Sequence, residues 1–318
     1  MASTLPLLIM VFLILAVGFT LSKAGVITPT LNVGMSTLLV QGVLPVTILA
    51  SAGSPYDPSV AKGFFIVFGI SIAYYILAPL LLLRVARRIT LPDKSEGLFA
   101  SLNVFGNVGF IGIPLAQQLY GSTGLIYAIS LNIAWNLCMF SLMRIILSGE
   151  KSINAKGLFI NTNMVATYIM MVFYFLQPYW RWHETTVAEV ILKAFDAVGS
   201  MMTPLSLFII SFAIASMSFS ELIRDKWAFI IPAIRLLAIP FLCIALFAVL
   251  PLPGDVERVV VFLLAMPCAT LNVIFANTYR LNVKFVSTAV TASYLFMLIS
   301  LPIVIAVSSA VLGPAGAG

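Results

Sequence analysis

Two short stretches of this chain hold most of its candidate chemistry. The first, SLNVFGNVGFIGIPLAQQLYG from Ser101, sets Asn103 and Asn107 four residues apart on one helix face. It also crowds Gly106, Gly109, Gly112 and Pro114 together. The second, FLLAMPCATLNVIFANTYR from Phe262, interrupts an apolar run with Pro267, Thr270, Asn272 and Asn277. Glycine and proline at this density unwind or kink a helix. The freed N–H groups at a helix start, with the positive end of the helix dipole, form a ready seat for an anion. Asparagine amides offer both donors and acceptors, so they suit a carboxylate or the ordering of unwound backbone, and residue type alone does not separate the two roles.

Catalysis finds no comparable set. The single histidine, His183, sits beside Trp182 and Glu184 in a polar stretch, and no phosphate loop or Ser-His pair is present. Cys138, Cys243 and Cys268 fall inside apolar runs without partner spacing, so neither a disulfide framework nor a metal site is expected. No cofactor and no enzymatic activity are expected.

The elements that must position these residues are membrane helices. Of 318 residues, 61% are hydrophobic and 9% charged, against about a quarter charged in a soluble domain. The apolar runs reach about 18 to 24 residues, enough to cross a hydrocarbon core of about 30 Å. Polar and proline breaks place ten spans, near 5–22, 33–53, 62–84, 97–120, 124–147, 156–179, 194–217, 227–250, 257–279 and 284–312. The N-terminal run has no positive charge ahead of it and reads as a retained first helix.

The net charge of +6 belongs to short loops, so a lipid bilayer rather than a nucleic acid is the expected partner. Loops after odd-numbered spans hold Lys23; Arg84, Arg87, Arg88 and Lys94; Arg144, Lys151 and Lys156; Arg224 and Lys226; Arg280 and Lys284. The opposite side holds only Lys62, Arg181, Lys193 and Arg258. Positive loops stay in the cytoplasm, which puts both termini outside. Five spans followed by five makes an inverted repeat, residues 1–150 and 151–318, and such repeats mark transporters whose site lies at paired broken helices. Pro45 and Pro204 stand at matching depth in the second and seventh spans, and Tyr120 and Tyr279 follow the fourth and ninth at the same offset. The two stretches described first are those fourth and ninth spans. Close helix packing through small residues is the alternative account of their glycines.

Other polar residues also lie inside spans. Arg235 lies about 12 Å into the eighth span, where a charge faces a cavity or partner or snorkels to the headgroups. Asn132 and Asn136 on the fifth span, and Ser287 and Thr291 on the tenth, are each four apart; interhelical bonding is their default role, and lining the same cavity is the other. Asp196 reads as a solvated or capping acid near the interface. No acid lies at the middle of a span, which argues against a relay of membrane carboxylates.

The stretch NVGFIGIPL, Asn107 to Leu115, resembles the fourth-helix signature of the auxin efflux carrier family, with an Asn seven residues before the crossover proline, as Asn107 is before Pro114. LPVTILASA from Leu44, the Pro267-to-Ala276 spacing and STAVTASYLFMLISLP from Ser287 are similar to the same family's pattern, over nearly the whole chain. The resemblance implies an all-α fold of ten helices with helices four and nine broken and crossing. It implies a scaffold of helices one, two, six and seven (about 5–53 and 156–217) and a mobile transport domain (about 62–147 and 227–312). It also implies elevator-type alternating access in a homodimer built through the scaffold. Asn272 replaces a second crossover proline, and only a short loop joins Ser148 to Lys156. Both features point to a prokaryotic member, similar to bacterial malate and malonate permeases, in the plasma (inner) membrane.

The expected activity is therefore secondary transport of a small carboxylate. Its expected seat is Asn103, Asn107, Gly109, Gly112, Pro114, Pro267, Thr270 and Asn272, with Arg235, Asn132, Asn136, Ser287 and Thr291 as further substrate or coupling residues. A sensor of such an anion and an anion channel are the alternatives. H+ or Na+ as coupling ion is left open.

Overall fold

The computed structural model describes residues 4–149, 159–216 and 219–313. Lys151 and Lys156, the repeat boundary at 150–151 and the start of the expected sixth span lie outside the described residues. Among the described residues, and apart from a 3-10 turn at Trp182–Glu184, twelve helical segments follow one another: α1 Thr4–Lys23, α2 Pro29–Gly53, α3 Pro58–Ala86, α4 Glu96–Val104, α5 Val108–Ser148 and α6 Thr162–Leu176. They continue with α7 Thr186–Ala215, α8 Phe219–Arg224, α9 Trp227–Val249, α10 Val256–Leu264, α11 Leu271–Thr278 and α12 Val283–Leu312. Among the described residues no strand occurs, only an isolated bridge between Gly106 and Cys268.

Six of these segments, α2, α3, α5, α7, α9 and α12, are long and apolar enough to cross a membrane. The expected fourth and ninth spans are not continuous rods. The fourth is divided between α4 and the start of α5, and the ninth between α10 and α11. A nine-residue helix such as α4 rises only about 13 Å, less than half of a hydrocarbon core. The long α5 is itself divided at Gly121, whose φ of +62° a side chain would strain.

Three of the prolines inside these helices are accommodated by widened turns. A proline ring presses on the carbonyl four residues before it. Ahead of Pro45, Pro114 and Pro240 the chain opens into π-turns at Leu39–Val43, Val108–Gly112 and Ile234–Ala238. The threatened carbonyls, those of Gln41, Phe110 and Leu236, lie within these turns, where the wider helix moves them aside.

Packing falls into two neighbourhoods. In one, α1 lies along Met202–Ala215 of α7, and α2 packs on α6 and α7. Gln177 after α6 joins this group at its end: its Nε2 donates to the carbonyls of Ala52 (2.7 Å) and Ser54 (2.9 Å), and its Oε1 accepts from Tyr56 N (2.9 Å). In the other, α3 packs on α4 and α5, while α12 packs on α9, α10 and α11. The two neighbourhoods meet where Met202–Ala215 touches Val108–Gly112 and α12.

Candidate functional site at the helix crossing

The two helix breaks are bonded to each other. Asn107 N donates to Pro267 O (2.7 Å) and Ala269 N donates to Phe105 O (3.0 Å), a two-bond antiparallel patch centred on Gly106 and Cys268. Such a patch satisfies extended backbone that lipid would leave unpaired. It also brings four helix ends to one place: the C-termini of α4 and α10, and the N-termini of α5 and α11.

The C-terminal side is closed. The last four carbonyls of a helix need outside partners, and each of those in α4 has one. Ser101 O accepts from Phe105 N (2.8 Å) and Leu102 O from Cys268 Sγ (3.2 Å). Arg235 supplies the rest. Its Nη1 donates to Asn103 O (3.2 Å) and Val104 O (2.8 Å), its Nε to Met266 O beyond α10 (3.0 Å), and Tyr74 Oη lies 3.4 Å from Nη1. Arg235 is 0% exposed, so the snorkelling reading of the sequence does not apply. Its Nη2 has no hydrogen-bond partner. Gly106 makes room for this group, because a Cβ there would overlap the guanidinium.

Asn272 also belongs to the closed side. Its Oδ1 accepts from Ser101 Oγ (2.5 Å), its Nδ2 donates to Ala269 O (3.0 Å), and the residue is fully buried. Its amide orders the backbone around the crossing. Asn103 Nδ2 donates to Phe99 O one turn back (2.8 Å), while its Oδ1 is buried and unpartnered. Cys268 N donates to Ser293 Oγ (3.0 Å).

The N-terminal side is more open. Asn107 caps α5: its Oδ1 accepts from Phe110 N (3.2 Å) and its Nδ2 donates to Tyr294 Oη (2.9 Å). Thr270 precedes α11, makes no side-chain cap, and interacts with the same Tyr294 hydroxyl. Gly109, Phe110, Thr270 and Leu271 are partly exposed. Asn132 Oδ1 faces Gly109, 3.6 Å from where a Cβ would stand. Gly112 and Pro114 are buried, and Gly112 lets α5 approach Leu263 and Met266.

The remaining candidates are not bonded to the crossing. Asn136 Nδ2 donates to Asn132 O (2.7 Å) and Thr291 Oγ1 to Ser287 O (2.6 Å), both along their own helices. Asp196 is exposed on α7. A cavity of about 480 Å³ between Pro55–Pro58 and Ser122–Ile126 shares no lining residue with the crossing. Among the described residues no cluster of metal-ligating side chains occurs.

Tyr294, Ser101, Ser293 and the thiol of Cys268 also bond at the crossing and are not among the residues expected from the sequence. Tyr294 carried a signal: it follows Ser287 by seven residues and Thr291 by three, on one helical face.

Among curated proteins no match to the chain is found. Residues 4–157 and residues 151–305 both match the model of a membrane transport protein family, that of the auxin efflux carriers, and the chain belongs to this family.

Proposed function

We propose that the protein is a secondary transporter of a small organic anion, a carboxylate, working by elevator-type alternating access. The observation that carries this reading is the pair of bonds from Asn107 N to Pro267 O and from Ala269 N to Phe105 O. They hold the N-termini of α5 and α11 at one mid-chain crossing, and helix N-termini favour negative charge. The seat comprises Asn107, Gly109 and Thr270, with Asn132 facing it. Asn103, Gly112, Pro114, Pro267 and Asn272 shape it from behind.

The wider arrangement is part of the same proposal. Ten membrane passages form an inverted five-plus-five repeat, with each broken pair of helices making one passage. The α1, α2, α6 and α7 neighbourhood is the scaffold and the dimer contact, and the group around α3, α5, α9 and α12 carries the seat. The membrane is a prokaryotic inner membrane with both termini outside. Asn136, Ser287 and Thr291 line the path rather than the seat. Coupling to H+, to Na+ or to the membrane potential alone is compatible with this arrangement.

Counterflow of labelled carboxylates in proteoliposomes tests the reading. Wild-type protein exchanges at least one small carboxylate in a saturable way, and Asn107→Ala lowers that exchange at least tenfold while the protein stays folded. Saturable binding without exchange would make the protein a sensor instead.

A further inference from the structure

Arg235 is a fully buried cation, and among the described residues no carboxylate pairs with it. A lone guanidinium in a low-dielectric interior is costly unless opposite charge surrounds it. That charge comes from the C-termini of α4 and α10, through the carbonyls of Asn103, Val104 and Met266. Each helix C-terminus carries about half a negative charge, and each N-terminus about half a positive one. The two C-termini therefore balance Arg235. The two N-termini, of α5 and α11, remain as about one positive charge facing the partly exposed seat. The unpartnered Arg235 Nη2 beside Gly106 leaves further donor capacity at the crossing.

We infer that Arg235 is the fixed counter-ion of the crossing and that the seat takes a monoanion. A monoanion bound there brings the crossing close to neutrality. A dianion leaves one negative charge uncompensated in the same interior. Arg235 is bonded to residues of the crossing itself, including the Asn103, Val104 and Met266 carbonyls, so it accompanies the seat wherever the seat moves. The loaded form then crosses the field as a nearly neutral body, and the empty form crosses as a cation. This inference rests on the transport reading above and specifies its substrate class.

The test uses purified full-length protein in proteoliposomes with an imposed potential. Its probes are labelled lactate and labelled malonate, at a pH where malonate is a dianion. Lactate self-exchange is expected to run at the same rate with and without the potential. Net lactate uptake is expected to quicken with an inside-positive potential and slow with an inside-negative one, because the empty form must return its positive charge outward. A full charge crossing about 100 mV corresponds to about fiftyfold. Malonate is expected to compete at least tenfold more weakly. Arg235→Gln is expected to lose at least tenfold in lactate exchange, with Arg235→Lys recovering part of it.

Lactate self-exchange that follows the potential, or malonate exchanging as fast as lactate, overturns the inference and leaves carboxylate transport standing. Should Arg235→Gln fail to fold, the wild-type voltage measurements decide alone. Folded wild-type protein that exchanges no member of a mono- and dicarboxylate panel overturns the transport reading and the inference together.

Discussion

The two faces of the helix crossing are built from similar residues and differ in how completely their polar groups are used. On the face where α4 and α10 end, the α4 terminal carbonyls, the Asn272 amide and two Arg235 nitrogens, Nε and Nη1, are fitted to partners inside the protein. On the face where α5 and α11 begin, Gly109, Thr270 and Leu271 remain partly exposed, and Thr270 makes no cap. The difference separates two tasks that a broken membrane helix must perform. One end has to be satisfied permanently, since an unpaired carbonyl in lipid costs several kcal/mol. The other can stay under-used, because a ligand is able to complete it.

Substitutions that cross this division should therefore differ in kind. The largest effect is expected from Arg235→Ala, which leaves the carbonyls of Asn103, Val104 and Met266 without their donor. Stability should fall by more than about 3 kcal/mol, measured by thermal unfolding in detergent. Unchanged unfolding would show that the closed face does not depend on its cation. Gly106→Ala comes next: its Cβ must displace the guanidinium, and overpacking of this kind costs about 1–3 kcal/mol. The same unfolding assay reads it, and Gly109→Ala on the open face is the control that should change stability far less.

Asn107→Ala removes an N-cap, for about 1 kcal/mol, but should lower carboxylate exchange at least tenfold. Equal losses in stability and exchange would erase the distinction between the faces. Tyr294→Phe keeps the ring and removes the hydroxyl that Asn107 Nδ2 donates to. Its expected signature is a several-fold rise in the half-saturating carboxylate concentration with little change in maximal rate, read from concentration-dependent counterflow.

The smallest effect lies outside both faces, at Asp57 ahead of α3. Its carboxyl is held below its ordinary value of 3.8 by bonds from the Ser59 hydroxyl and N–H. A lowered value in the folded state adds stability above that ordinary value, and the gain disappears as pH falls through the folded-state value. The difference in unfolding temperature between wild type and Asp57→Ala should therefore shrink on acidification, and a constant difference would refute it.

The breaks themselves were legible in the sequence because Gly106, Gly109, Pro114 and Pro267 act on the backbone next to them. The partners of the freed groups were not, since they come from far along the chain. The Asn103 and Val104 carbonyls lie 132 and 131 residues from Arg235, and Ser101 lies 171 from Asn272. Sequence therefore showed that Arg235 was deep without showing what it faced. Asn272 illustrates the same limit from the other direction: it stood out as a polar group in an apolar run, and only the structure shows its bonds to Ser101 and Ala269. The expected spans met a similar difficulty, since hydropathy sees apolar length but not a helix end such as Val104.

The widened turn at Val108–Gly112 has a consequence for helix phase. A π-turn holds one residue more than an α-turn, and each residue of an α-helix turns the chain by about 100°. Removing one residue there would close the wide turn into an ordinary α-turn and leave everything C-terminal to Pro114 facing as before, at least as far as Gly121. In comparisons of related chains, a one-residue gap at this point would mark a tightened turn with unchanged helix faces rather than a re-aimed helix.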